Sequence, residues 1–214
     1  MALRFINDNG LFRLFGDNTA ELIELSPRLL TDIPGGVFVL GGNDTVRGST
    51  ISELILGNDG QDSISSGEGN DTLFGGKGND QLFGDAGDDF LSGNRDIDTL
   101  TGGQGSDTFA LSTGGGLDII TDFDNTTDYI QVPANLNIGD ILIQTAGANT
   151  LLTVKSTGEQ LAQLNNVQAS SITTANFLVD QPPLQGTPTP RPDTPVFVPP
   201  DVSFPDSPLS PILL

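Results

Sequence analysis

From Val39 to Ala110 the chain divides without insertion into eight consecutive nine-residue units: VLGGNDTVR, GSTISELIL, GNDGQDSIS, SGEGNDTLF, GGKGNDQLF, GDAGDDFLS, GNRDIDTLT and GGQGSDTFA. A short fixed period of this kind predicts a fold in which one structural unit stacks on the next. The sixth position is acidic in every unit: Asp44, Glu53, Asp62, Asp71, Asp80, Asp89, Asp98 and Asp107. The eighth is apolar in every unit: Val46, Ile55, Ile64, Leu73, Leu82, Leu91, Leu100 and Phe109. The fourth is glycine except at Ile51 and Asp96. Glycine permits the positive-φ turns of a tight loop and exposes its carbonyl. The three closing residues suit a short strand whose middle side chain points inward, which makes the eighth position the core.

Charge follows the repeat. Residues 39–128 hold 17 acidic and 3 basic side chains and 19 of the 27 glycines, within a chain of net charge -20. Repulsion of that density calls for a counter-charge, and hard cations such as Ca²⁺ are bound by carboxylate and carbonyl oxygens. The same acidity disfavours phosphate backbones, so no nucleic-acid partner is expected.

The units resemble the glycine-rich calcium-binding nonapeptide GGxGxDxUx of RTX (repeats-in-toxin) proteins, and those starting at Gly75 and Gly102 match it at every specified position. The resemblance implies an all-β fold: a parallel β-roll of about four coils, two nonapeptides per coil, with Ca²⁺ between successive loops on each side. It places Asp44, Asp62, Asp80 and Asp98 along one edge and Glu53, Asp71, Asp89 and Asp107 along the other. The loop glycines Gly57, Gly67, Gly69, Gly76, Gly78, Gly87, Gly103 and Gly105 stand beside them. Each edge then holds about three ions, up to about six in the roll. The best-formed sites are expected between Asp62 and Asp80, Asp71 and Asp89, and Asp89 and Asp107. The loops carrying Glu53 with Ile51, and Asp96, are expected to be weak or empty.

After the repeats, GGGLDIITDFDNTTDYIQV resembles the segment of form DxIxDFxxxxDxI that follows many RTX repeats. Its Asp118, Asp122 and Asp128 are candidates for a further Ca²⁺ or for strand-end and turn roles. ILIQT, TLLTVK and EQLAQL read as an antiparallel meander capping the roll. At the other end ALRFI and LFRLF flank NDNG as a hairpin, and TAELIELSPRLL is ambiguous between strand and helix. The segment from Pro182 carries 11 of the 14 prolines and predicts an extended tail. The organisation expected is an N-terminal β cap at 1–38, the roll at 39–110, a C-terminal β cap at 111–180 and the tail at 181–214.

The seventh and ninth positions should face outward. One face is mostly wettable, with Thr45, Ser63, Ser65, Thr99 and Thr101 among its residues. The other carries Leu54, Leu56, Phe74 and Phe90 together, a cluster expected to be covered by the N-terminal hairpin or by a protein partner, possibly another copy. In the tail, Val196, Phe197 and Val198 are more apolar than a spacer needs and are a second candidate contact.

Several activities are disfavoured. The chain has no cysteine and no histidine, which removes disulfides, thiolate metal sites, the Ser-His-Asp triad and the HExxH zinc motif. In larger RTX enzymes the catalytic domain precedes the repeats, and 38 residues are too few for one. No Sec-type leader and no membrane-spanning run is read. The expectation is a secreted, non-enzymatic calcium-binding protein of the cell surface or matrix. The resemblance implies export through the type I secretion apparatus, and self-assembly is the leading role. A monomeric calcium-binding export module and a polysaccharide-binding adhesin are the alternatives.

Overall fold

A unit of six loop residues and three strand residues reverses the chain every nine positions, so alternate units fall on opposite faces of a flattened solenoid. The computed structural model of the chain has this architecture; it describes residues 4–8, 11–15, 18–25 and 36–179, with backbone alone for the first two stretches. The tail, with Val196, Phe197 and Val198, lies outside the described residues, as does SPRLL.

The chain opens with an antiparallel hairpin of β1 (Arg4–Asp8) and β2 (Leu11–Phe15), followed by β3 (Leu22–Glu24) and β4 (Val37–Phe38). The repeats then supply β5 (Thr45–Ser49), β6 (Leu54–Asp59), β7 (Ser63–Gly67), β8 (Thr72–Lys77), β9 (Gln81–Phe83), β10 (Phe90–Arg95), β11 (Thr99–Thr101) and β12 (Thr108–Ala110). The remaining strands are β13 (Asp118–Ile120), β14 (Tyr129–Val132), β15 (Ile141–Ala146), β16 (Asn149–Val154), β17 (Gln160–Leu164) and β18 (Phe177–Val179).

Two nine-stranded sheets result, in the orders β1-β2-β4-β6-β8-β10-β12-β14-β18 and β15-β16-β17-β13-β11-β9-β7-β5-β3. Repeat strands pair in parallel with the strand 18 residues on, so each eighth-position side chain stacks on its own kind. Val46, Ile64, Leu82 and Leu100 are in register along one sheet, and Ile55, Leu73, Leu91 and Phe109 along the other. All eight are fully buried, each contributing roughly 1.5–3 kcal/mol relative to exposure.

The solenoid extends past the repeats at both ends. β3 pairs in parallel with β5 and β4 with β6, which places Ile23 beside Val46 and Val37 beside Ile55. β3 and β4, within the segment expected to be a cap, therefore pair as continuations of the roll, and the ambiguous TAELIEL stretch is strand over Leu22–Glu24. Downstream, β13 and β14 add to β11 and β12. The antiparallel meander β15–β16–β17 then joins the stack through β17, which runs parallel to β13.

Of the predicted outer cluster, Phe74 is 7% exposed, and Leu54, Leu56 and Phe90 are half-buried. The Phe74 and Phe90 rings lie 5.8 Å apart. Among the described residues no helix is long and apolar enough to cross a membrane.

Candidate metal sites

The loop-to-strand junction puts each sixth-position acid at the rim of the roll with its side chain turned in. All eight are buried, between 0% and 6% exposed. From Asp62 onward each carboxylate accepts a backbone hydrogen bond from the equivalent acid one coil earlier, while Glu53 accepts from Ser49 N in its own loop. On one edge Asp44 donates to Asp62, Asp62 to Asp80 and Asp80 to Asp98, at 2.7–2.8 Å. On the other, Glu53 donates to Asp71, Asp71 to Asp89 and Asp89 to Asp107, at 2.7–2.9 Å. Two files of stacked carboxylates result, as the spacing predicts.

Only one oxygen of each carboxylate is used in this way. Glu53 Oε2 and the Oδ2 atoms of Asp62, Asp80, Asp89, Asp98 and Asp107 are buried with no hydrogen-bond partner. Asp71 Oδ2 also lacks a well-aligned donor, although the Ser66 hydroxyl beside it offsets part of the effect of burial on this carboxyl. A buried ionised oxygen without a partner is strongly unfavourable, and the titration of these groups reflects it. Burial, reinforced by stacked carboxylates, pushes Asp80 and Asp89 up to about 7 and Asp62 and Asp107 up to about 6. Burial likewise pushes Glu53 to about 7 and Asp98 to about 6.

The glycines complete the lining. A Cβ on Gly57 would sit 2.5 Å from Asp62 Oδ2, and one on Gly84 would sit 2.6 Å from the carbonyl oxygen of Gly102. The first position is therefore a cradle between the unpartnered carboxylate oxygen and a carbonyl one coil on. Gly69, Gly78, Gly87 and Gly105, at the fourth position, have φ between +117° and +137°, and any Cβ there would run into the preceding coil. Gly67, Gly76 and Gly103, at the second, also have positive φ. Asn58, Asp85 and Asn94 replace second-position glycines, and Asp96 a fourth-position one, with φ of 68–74°. The Asp96 loop therefore keeps the loop backbone.

No point among the described residues gathers three carboxylates. Each cradle instead brings one buried carboxylate oxygen and a backbone carbonyl to the border of the same space. That all-oxygen, partly anionic donor set suits Ca²⁺ and lacks the nitrogen and sulfur ligands that softer metals favour. The residues present fit the ion.

A scan against family models matches residues 56–91 and 83–120 to the RTX calcium-binding nonapeptide repeat. These residues are RTX repeats. The RTX roll also resembles solved structures. The AlgE6R3 subunit of the Azotobacter vinelandii mannuronan C5-epimerase is 24% identical over 85% of this chain and 94% of that one, with a TM-score of 0.41. The AlgE6R2 subunit is 25% identical over 75% and 93%, also with a TM-score of 0.41. The extracellular lipase LipA of Serratia marcescens is 17% identical, with a TM-score of 0.35, over 72% of this chain and 42% of the lipase. No curated protein matches the chain as a relative.

Beyond the RTX units the structure separates the three later candidates. Asp118 accepts from the Asp98 N–H and Asp128 from the Asp107 N–H, both at 3.1 Å, so each ends a different file. Half a coil separates them, which puts them on opposite edges. Asp122 instead accepts from Gly102 N and Gly103 N at 3.0 and 2.9 Å. The three do not gather around one ion. Asp128 is also satisfied within the protein, by Asp124 N and the Thr127 hydroxyl. Burial, with Asp98 alongside, pushes Asp118 up to about 8.

Sequence reasoning missed two sets of residues. Glu21 N donates to Asp44 Oδ1 at 2.7 Å, so the Asp44 file begins in the N-terminal segment. Residues 16–24, GDNTAELIE, carry the signal: acid at the sixth place and Ile23 at the eighth. The fifth positions form a second ladder, in which Asn43, Asn70 and Asp88 accept backbone hydrogen bonds from Gln61, Asp88 and Ser106 at 2.9–3.0 Å.

Proposed function

We propose that this protein is a secreted structural component that folds on Ca²⁺ outside the cell and assembles with copies of itself, as a surface layer, matrix or filament. The files of buried carboxylates with unpartnered oxygens carry this reading. When bound, Ca²⁺ supplies the positive charge that these oxygens lack. The chain's own groups do the rest: backbone N–H donors hold Oδ1 of each carboxylate, leaving Oδ2 turned to the cradle, while glycine keeps the cradle open. In a calcium-poor cytosol the negative loops oppose closure. Outside, sites of extracellular type, with Kd of about 10⁻⁴–10⁻³ M, fill at ambient calcium. Export before folding, by a type I apparatus, fits this order.

Self-assembly is supported by the apolar outer face of β6, β8 and β10, with Leu54, Leu56 and Phe90. A second reading, a monomeric calcium-binding module, is favoured by the burial of Phe74 on that same face. Light scattering of the purified protein at several concentrations, before and after millimolar Ca²⁺, separates the two. Chelator-reversible growth that is lost in a Leu56→Ser, Phe90→Ser variant is the expected result. A mass fixed at one chain would remove the assembly role and leave the calcium-folded monomer.

A further inference from the structure

Seven repeat units begin downstream of Val39, at positions 48, 57, 66, 75, 84, 93 and 102, and all but one begin with glycine. The exception is Ser66. At the glycines the first position is a cradle. A Cβ on Gly75 would stand 2.9 Å from the carbonyl oxygen of Gly93 and against Asp80 Oδ2; a Cβ on Gly84 would meet Gly102 O and Asp89 Oδ2 in the same way. At position 66 a side chain occupies that volume. Ser66 is fully buried, and its Oγ lies 2.8 Å from the Gly84 carbonyl oxygen and 3.4 Å from that of Phe83, with the Asp71 carboxylate beside it as a further acceptor for its one proton. Gly84 O is the carbonyl one coil on from Ser66, as Gly102 O is from Gly84. The hydroxyl therefore reaches the carbonyl oxygen that borders the cradle at the glycine positions.

The preceding loop on the same edge is closed in a related way. Ser49 donates to Glu53 Oε1 through its backbone N–H at 3.0 Å and also through its hydroxyl, and Ile51 replaces the fourth-position glycine. On the opposite edge Gly57, Gly75 and Gly93 line the cradles in succession, and only its first unit departs, where Val39 fills the first position and its carbonyl accepts from the Asn58 side-chain amide.

We propose that the Ser66 side chain takes the place of one calcium ion between the loops of Asp71 and Asp89, so that the two edges of the roll bind unequal numbers of ions. Cβ and Oγ fill the space, and the hydroxyl, set between the Gly84 carbonyl and the Asp71 carboxylate, engages an oxygen that a cation must collect. This departs from the expectation that the Asp71 and Asp89 loops enclose a full site. It rests on the calcium reading of the roll. Its consequence is a section of one edge, from Ser49 to Gly84, whose loops are held by hydroxyls rather than metal.

The test is the number of Ca²⁺ ions bound per full-length chain, by equilibrium dialysis with elemental analysis, for the unsubstituted protein, Ser66→Gly and Ser66→Ala. Ser66→Gly restores the residue found in the other cradles and should bind one ion more. Ser66→Ala, which keeps a Cβ in the cradle, should bind no more than the unsubstituted protein. In chelator at mildly acidic pH, both variants should melt below it, because the hydroxyl bond to Gly84 O is gone. A Ser66→Gly protein binding the same number or fewer, with calcium uptake by the unsubstituted chain intact, overturns the inference alone. A chain that takes up no calcium in any form overturns the calcium reading and this inference with it.

Discussion

Acid should substitute for calcium in ordering the roll. Four buried carboxyls in the metal-free fold are pushed furthest up: Glu53, Asp80 and Asp89 to about 7, and Asp118 to about 8. In the unfolded chain the same groups titrate near about 4. Between those limits the folded state holds more protons than the unfolded state, so unfolding free energy falls as pH rises. Stability is fully present below about pH 4, and is lost as pH climbs through the folded values. Each group held protonated only when folded contributes about 1.4 kcal/mol per pH unit. Four of them, reduced by about half for water at the rim, give about 3 kcal/mol per pH unit between about pH 5 and pH 6. That is a large part of the stability of an ordinary domain. In chelator, far-ultraviolet circular dichroism should therefore show β-structure near pH 5 and its loss near pH 7.5, at protein concentrations low enough to avoid precipitation near the pI of about 4.1. Calcium affinity should move the other way, falling with acid, because protons and Ca²⁺ compete for the same oxygens. A metal-free chain that is equally unstructured at both pH values, or a calcium midpoint independent of pH, would refute the reasoning.

Other perturbations address single parts of the roll. Asp80→Ala with Asp89→Ala removes one carboxylate from each file and should weaken calcium-dependent folding; an unchanged calcium-induced dichroism would sink the ligand assignment. Gly75→Ala puts a Cβ 2.9 Å from Gly93 O and against Asp80 Oδ2. At a cost on the order of 1–3 kcal/mol, it should raise the calcium midpoint about tenfold, and a midpoint that stays put would show the cradle to be roomy. Leu82→Ala, fully buried between Ile64 and Leu100, should cost about 2–5 kcal/mol in denaturant melts at saturating Ca²⁺; a loss below about 1 kcal/mol would mean that the core is loosely packed. The exposed Lys77–Asp59 pair, at 2.9 Å, should matter little: Lys77→Ala should change stability by less than about 1 kcal/mol.

The roll was legible wherever its period held. Nine-residue spacing places every sixth and eighth position, and the register of β5 to β12 follows from it without further information. Legibility faded where the period changed. Asp98 to Asp118 is 20 residues, Asp107 to Asp128 is 21, and Glu21 to Asp44 is 23, yet all three pairs are joined by the same backbone-to-carboxylate bond. Loops at the rim absorb insertions because a longer turn still returns the strand to its sheet, and a search for a constant period does not see them. Asp118, Asp122 and Asp128 lie within 11 residues, which suggested one site; the half-coil between β13 and β14 sends their strands to opposite sheets. Ser66 escaped notice because serine for glycine looks conservative along the chain, and its effect appears only once Gly84 O stands one coil on.

The need for a cation is built into the repeat itself. The parallel register that stacks Ile55, Leu73, Leu91 and Phe109 also stacks Glu53, Asp71, Asp89 and Asp107, since acid and apolar side chain stand two residues apart in every unit. The core cannot form without the file. Neighbouring strands lie about 4.8 Å apart; two full charges at that distance repel by about 3.5 kcal/mol at an effective dielectric of about 20. One stacked apolar side chain contributes roughly 1.5–3 kcal/mol, so each added unit of ionised roll loses at its rim about what it gains at its core. Neutralising the rim reverses that balance. A proton does so below neutrality, and under the proposed function Ca²⁺ does so at the pH where the carboxylates are ionised.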